Sequence, residues 1–152
     1  MTKKKITINN NSLIEQFGMK PYKLRVKEKY MSKRQLNHFK KILNSWKDQL
    51  DQEAEKTVNH MQNDSNTLAD PNDRATQESE FGLELRTRDR ERKLIRKIQT
   101  SLIKIDDGTF GYCEETGEEI GLQRLEARPV ASLTLEAQER REITEKQFKD
   151  SR

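Results

Sequence analysis

Two runs of apolar residues at heptad spacing constrain this chain more than any other feature. Leu36, Phe39, Leu43, Trp46 and Leu50 are separated by 3, 4, 3 and 4 positions, and Ile95, Ile98, Leu102 and Ile105 by 3, 4 and 3. That alternation puts each set on one stripe of an α-helix, the a/d seam of a coiled coil. Between the runs stands Asp70-Pro71-Asn72-Asp73, whose residue types set up a turn. If the chain folds back there, facing residues of two antiparallel helices must have numbers with a constant total. Leu36 with Ile105, Phe39 with Leu102, Leu43 with Ile98 and Trp46 with Ile95 all total 141. Half of that total falls between Asp70 and Pro71, where the turn chemistry lies. The expected fold is therefore mostly α, a long antiparallel coiled-coil hairpin with arms of about 33 residues and ~50 Å.

Capping residues agree with this register. Ser32 reads as an N-cap, Gln35 completes a capping box, and Met31 and Leu36 have the spacing of a hydrophobic staple. The first helix is expected to run to about Leu68. Asp73 can cap the second, which reads from about Arg74 to Ile105 and stops at Asp106-Asp107-Gly108. The seam is apolar only at the end away from the turn. Towards the tip, Glu53 faces Arg88 and His60 faces Phe81. Two explanations stand: a slender distal half built to reach somewhere, or drift of the 3.6-residue stripe towards Val58 and Met61.

The remaining chain reads as smaller parts. Residues 1–31 form an N-terminal leader packing on the body, broken by Gly18 and Pro21, and 32–107 form the hairpin with its tip at 68–75. Residues 108–132 form a Gly-rich knuckle closed by Leu122, Leu125 and Pro129. A C-terminal helix, within 133–152, is expected from about Leu133 to Lys149, capped by Ser132 or Thr134 and anchored by Leu135, Ile143 and Phe148. With 31% hydrophobic and 37% charged residues, the chain lacks the apolar material for one large core and is too patterned for disorder. Its net charge of +4, from 30 Lys and Arg against 26 Asp and Glu, does not demand a nucleic-acid partner. A single cysteine excludes an internal disulfide framework and fits a reducing compartment. The basic Met1–Lys5 is followed by polar residues and not by an apolar signal core, and nothing approaches the ~20 apolar residues of a membrane span. A soluble cytoplasmic monomer is expected.

Three groups of residues bear on function. Between Asn63 and Glu80 stand five acids (Asp64, Asp70, Asp73, Glu78, Glu80) against Arg74. Asp before Pro and Asp at a cap are ordinary, but their place at the far end of a rod lets them meet a basic surface or a cation. Two carboxylates are too few for a dedicated metal site. Arg86 to Lys97 carries a local net charge of +5. It reads either as a solvated face with i,i+4 pairs or as an anion site. Interleaved acids and the lack of an aromatic platform disfavour duplex DNA. Cys113-Glu114-Glu115-Thr116 has the spacing of a metal ribbon but one cysteine, and His38 and His60 lie on the first helix, so no zinc is expected. Cys113 reads as a small packed residue. No nucleophile–base set or Gly-rich phosphate loop is present, which argues against an enzyme.

Several segments together resemble the DksA/TraR family of bacterial RNA polymerase-binding transcription factors. They are Asp70-Pro71-Asn72-Asp73-Arg74-Ala75, the stretch Glu84 to Ile95, Phe110-Gly111-Tyr112-Cys113, Ile120-Gly121, and Arg124-Leu125-Glu126-Ala127-Arg128-Pro129. The resemblance runs from about Tyr30 to Lys146. It implies a hairpin inserted into the polymerase secondary channel, where it modulates promoter complexes with guanosine tetraphosphate (ppGpp) in the stringent response. Ribosomal RNA promoters are then repressed and some biosynthetic promoters activated. It also implies that Asp70, Asp73 and Ala75 form the tip motif, and that Arg90, Leu94, Lys97 and Arg128 line the ppGpp site at the polymerase interface. Gln138 stands where the family has a lysine there, which removes one charge-assisted contact of ~1.5–3 kcal/mol. The family's four zinc-ligand positions here read Cys113, Thr116, Thr134 and Ala137, which places the chain with the cysteine-poor, zinc-independent type and leaves a metal-free, zinc-finger-like knuckle. No sequence-specific DNA contact and no membrane partner are implied. The competing readings are a Gre-like transcript-cleavage factor, which brings tip acids to a second Mg²⁺, and a basic nucleic-acid binder.

Overall fold

The computed structural model describes residues 13–64 and 70–152. Among them lie five helices: α1 (Leu13–Gln16), α2 (Lys33–Asp64), α3 (Pro71–Asp107), α4 (Leu122–Ala127) and α5 (Leu135–Asp150). The chain divides into two units, one of residues 40–110 and one that joins the N-terminal part up to Phe39 with residues 111–152. The expected tip segment 68–75 is described only from Asp70, and the leader only from Leu13.

α2 and α3, of 32 and 37 residues, are rods of roughly 48 and 55 Å, and the unit of residues 40–110 takes in α2 from Lys40 and all of α3. Lys40, near the start of α2, lies 3.7 Å from Asp106, near the end of α3. The pair is exposed and contributes little energy, but it fixes direction. With those ends together and six residues joining Asp64 to Pro71, the helices run antiparallel. Ile42, Leu43, Leu50, Ile98 and Ile105 are buried. Ile42 is an addition to the expected seam, widening the apolar stripe at this end.

Along α3 the inward stripe keeps strict heptad spacing to the tip. Gln77, Phe81, Glu84, Arg88, Glu91, Ile95, Ile98, Leu102 and Ile105 are all buried or half-buried. On α2 the stripe drifts. Ala54, Thr57, Val58 and Met61 are half-buried, whereas Glu53 and His60 are exposed. The facing of Glu53 with Arg88 and His60 with Phe81 is therefore not realised. A straight helix loses about 20° per heptad, and nothing apolar at 53 or 60 restores the strict repeat. Asp70, and not Asp73, caps α3. Its carboxylate accepts from Asn72 N at 3.0 Å, and Pro71 takes the first helical position, where its fixed φ and missing N–H fit without loss. At the other end Gly108 adopts φ 78°, the left-handed conformation that closes a helix.

The second unit is held by side chains reaching far along the sequence. Ser32 accepts from Gln35 N at 3.4 Å, and Gln35 Oε1 accepts from Met31 N at 2.8 Å, a capping box displaced by one residue. The segment before it is pinned at both ends. Tyr22 N donates to Glu126 Oε1 at 2.6 Å, and Glu28 accepts from the Tyr22 hydroxyl, the Ser32 hydroxyl and Arg25 N. The Tyr30 hydroxyl donates to Gly111 O at 2.8 Å and accepts from Gly121 N at 3.0 Å, clipping the knuckle shut. Gly111 has φ 89°, a conformation L side chains rarely adopt, and a Cβ there would press on the Met31 side chain at 2.8 Å.

Two expectations about this unit change. Leu122 to Ala127 forms helix α4, on which Leu125 is fully buried. α5 starts at Leu135 with Thr134 as its N-cap, accepting from Ala137 N at 3.3 Å. Leu135, Ile143 and Phe148 do not anchor it: all three are exposed, and only Ala137 is buried. Their spacing of 8 and 5 puts them on different faces, so no stripe forms.

Two outcomes follow for stability. Ile98→Ala should lower the unfolding free energy by about 2–5 kcal/mol in urea titrations, while Glu53→Ala stays within about 0.5 kcal/mol. The Tyr22 hydroxyl, Arg25 N and Ser32 hydroxyl hold Glu28 down at about 2. A carboxylate with a lowered folded pKa stabilises fully above its unfolded value near 4.3 and loses that contribution as pH falls towards 2. Thermal midpoints of Glu28→Gln should be lower than wild type at neutral pH and converge with it between pH 4.5 and 2.

Candidate functional site

The tip carboxylates begin α3. Asp70 binds Asn72 N through one oxygen, and Asp73 sits exposed in the first turn, where the helix dipole favours negative charge. Ala75 is exposed beside them. Asp64 closes α2, and its side chain lies outside the described residues. Among the described residues no group of three His, Cys, Asp or Glu is placed to hold a metal ion.

Further along α3 the fold sorts charges that the sequence interleaves. Glu84 and Glu91 occupy inward stripe positions and are half-buried, as is Arg88. Arg86, Arg90, Arg92, Lys93, Arg96 and Lys97 are exposed, with Asp89 the one exposed acid from 86 to 97. The exposed residues of 86–97 carry six cations against one acid, a net of +5 that equals that of the stretch as a whole, because the half-buried Arg88 and Glu91 offset one another. Arg90, Leu94 and Lys97, at i, i+4 and i+7, share a helix face. Glu84 Oε2 is buried with no hydrogen-bond partner, a penalty of inward acids on a narrow seam.

In the other unit, Arg128 is exposed just after α4, and Gln138 is half-buried in the first turn of α5. The Gln138 amide donates to Glu142 Oε1 at 2.9 Å. The knuckle brings together the positions singled out by spacing. Tyr112 bridges to Glu119, Cys113 N donates to Glu118 O at 2.8 Å and Gly117 N to Cys113 O at 2.9 Å. Glu114 N donates to Ser132 O at 2.9 Å, closing the loop onto the start of α5. The Thr134 hydroxyl lies 3.9 Å from Cys113 Sγ. Burial pushes the Cys113 thiol up, but donors from Thr116, Thr134 and Glu115 outweigh it and bring the thiol down to about 6.

Comparison with known proteins follows the same division. The family described as DnaK suppressor protein DksA, N-terminal domain, matches residues 35–105, and the prokaryotic dksA/traR C4-type zinc finger matches 108–142. The RNA polymerase-binding transcription factor DksA of Haemophilus influenzae is 54% identical over 136 residues, covering 90% of this chain and 94% of that protein. The Escherichia coli K12 protein of the same name is 52% identical over 137 residues, covering 90% and 91%. Transcription factor DksA2 from Pseudomonas aeruginosa superposes with a TM-score of 0.71 at 37% identity, covering 77% of this chain and 90% of that one.

The donor set at the knuckle does not fit the zinc of a C4 finger. Cys113 supplies one thiol, Thr116 and Thr134 supply weakly ligating hydroxyls, and Ala137 supplies a methyl group that is fully buried. A structural zinc contributes folding free energy outright. Treatment with a strong chelator should therefore leave the thermal midpoint unchanged, and metal analysis of protein from zinc-replete medium should find no stoichiometric zinc. A chelator-induced drop in the midpoint would contradict this account.

Proposed function

The chain belongs to the DksA family, and on that footing we propose that it is a cytoplasmic, non-catalytic transcription factor that binds RNA polymerase and inserts its hairpin tip into the secondary channel. The observation that carries this reading is identity above 50% with RNA polymerase-binding factors over 90% of the chain. The geometry of the hairpin supports it. Asp73 lies 24 residues from Lys97 along one continuous helix, roughly 36 Å. A slender element of that length can bring exposed carboxylates to a recessed catalytic centre while its other end engages the channel entrance. No helix among the described residues is long and apolar enough to cross a membrane.

In this reading the tip motif Asp70, Asp73 and Ala75 acts next to the polymerase active site and destabilises promoter complexes. Asp70 is partly committed to capping, so Asp73 carries most of the available charge. Arg90, Leu94, Lys97 and Arg128 contact ppGpp at the polymerase interface. The neutral Gln138, already bonded to Glu142, weakens the phosphate grip without abolishing it. The protein acts as a monomer, holds no zinc and makes no sequence-specific DNA contact.

Initiation from a ribosomal RNA promoter with purified polymerase, with and without ppGpp, tests this reading. Wild-type protein should inhibit, more strongly with ppGpp. Asp73→Asn should bind polymerase with wild-type affinity yet lose most inhibition. Undiminished inhibition by the variant removes the tip mechanism, and efficient cleavage of stalled transcripts assigns the protein to the Gre-like class.

A further inference from the structure

Positive charge is concentrated in one short stretch that lies outside the hairpin tip and the Arg run. From Lys20 to Arg34, 15 residues hold seven Lys and Arg against the single acid Glu28. The remainder of the chain holds 23 Lys and Arg against 25 Asp and Glu, so this stretch supplies more than the whole net charge of +4. Arg34 and Glu28 lie 3.9 Å apart and offset one another, and the Arg34 guanidinium covers the Tyr22 ring at 5.1 Å. Lys20, Lys23, Arg25, Lys27, Lys29 and Lys33 remain, all exposed. Two acids come near from other elements: Glu126, which accepts from Tyr22 N, and Glu119, which borders the same cavity as Leu24. Arg124 and Arg128 border that cavity too, so the sign of the surface is unchanged.

The fold holds these cations in a fixed arrangement. Tyr22 is tied to Glu126 and Glu28, and the Tyr30 hydroxyl bridges Gly111 and Gly121. Between those anchors Glu28 N donates to Arg25 O at 3.2 Å and Arg25 N to Glu28 Oε2 at 3.0 Å, closing a tight turn. Lys27, inside that turn, adopts φ 63°, the left-handed conformation in which glycine is relaxed and a side chain is strained. Strain of this kind collects where a surface has work to do. A turn already held in one shape also lowers the ordering cost of binding.

We propose that residues 20–33 form a separate binding surface that holds the phosphate backbone of duplex DNA without regard to base sequence. The chemistry of the stretch chooses this occupant. Five of its six exposed cations are Lys, compact solvated charges that suit phosphates and are depleted from protein–protein interfaces. Interleaved acids, which count against the Arg run of α3, are absent apart from the engaged Glu28. The rings of Tyr22 and Tyr30 pack against His38 and Tyr112, so the stretch offers no platform on which single-stranded bases stack. Leu24 and Val26 are its large exposed apolar side chains, with no aromatic anchor beside them, which is little to hold a lipid surface. The inference goes beyond the polymerase-binding reading and does not depend on it.

The test is fluorescence anisotropy of a labelled DNA duplex of arbitrary sequence, titrated with the full chain between ~50 and ~200 mM salt. Wild-type protein should bind, with log K falling against log salt at a slope of about −4, the mark of four or five neutralised phosphates. Lys23→Gln with Lys27→Gln should bring the slope about 2 closer to zero and weaken binding about tenfold or more at the lower salt. Both side chains are exposed, so the thermal midpoint should match wild type. Lys27→Gly, relaxed in the left-handed conformation, keeps the fold and should show part of the same loss. Absence of wild-type binding at the lower salt, or an unchanged slope in the double variant, overturns the proposal. Loss of binding in Arg92→Gln with Lys93→Gln, the stretch 20–33 being intact, overturns it in favour of α3. Tighter binding to a single strand of the same length, or to vesicles of mixed anionic and neutral phospholipid, overturns the choice of occupant. The polymerase-binding reading stands or falls separately, by inhibition at the ribosomal RNA promoter.

Discussion

A pair of helices joined at one end stays together only through the stripe each turns towards the other, and here that stripe is apolar for half its length. Ile42, Leu43, Leu50, Ile98 and Ile105 exclude water at the end away from the turn. Beyond them the inward positions mix Ala54, Val58, Met61 and Phe81 with Thr57, Gln77, Glu84 and Arg88, all half-buried. The consequence is a gradient: full burial is concentrated at one end, and the distal half is held by fewer and partly polar contacts. Arg88 turns inward together with Glu84 and Glu91, so the basic face of α3 keeps the net charge that its sequence carries. Glu84, with a buried oxygen lacking a partner, shows that this arrangement is not optimised for stability.

The knuckle solves a different problem. The knuckle has a small core of Phe110, Cys113, Ile120, Leu125 and Pro129 with a single β-bridge, in a stretch that matches a C4-type zinc-finger family. In this chain the work of a metal is divided among hydrogen bonds. Tyr30 ties Gly111 to Gly121, Glu114 N closes on Ser132 O, and Thr134 both caps α5 and approaches the Cys113 sulfur. Donors converging on one sulfur favour its charged form, as a metal would. The difference is thermodynamic: these bonds form and break with the fold and do not depend on a bound ion.

How much of this was legible in the sequence depends on the range of the interaction involved. The register of the hairpin was readable because a periodic stripe is a local pattern, and its turn was marked by residues with fixed conformational preferences. Asp73 was read as the cap, whereas Asp70 takes that place because Pro71 fits the first helical position. The drift past Leu50 depended on small deviations from heptad geometry that accumulate along a helix. α4 and the Glu28 cluster were invisible: Tyr22 and Glu126 are 104 positions apart, and such a pairing leaves no periodic trace. The misplaced anchors Leu135, Ile143 and Phe148 came from counting apolar residues without asking whether they share a face. At the site, Asp70, Asp73 and the Arg run were evident as residue types, but which members of the run turn inward, Arg88 and Glu91, required the helix to be wound.

Acids at the start of α3 need not weaken the helix that carries them. Carboxylates clustered at the end of a rod would repel one another and loosen a helix if they lay near its C-terminus. At the start of α3 they meet unsatisfied N–H groups and the positive end of the helix dipole, so Asp70 and Asp73 stabilise the turn they occupy. Selection can therefore keep negative charge at the point of furthest reach without a compensating change elsewhere. The same logic separates the two properties under substitution. Asp70 supplies the cap and Asp73 mainly supplies charge, so neutralising Asp73 alters what the tip presents while leaving the helix start intact. The apolar end of the seam, remote in sequence from both, sets how firmly the two helices are held together.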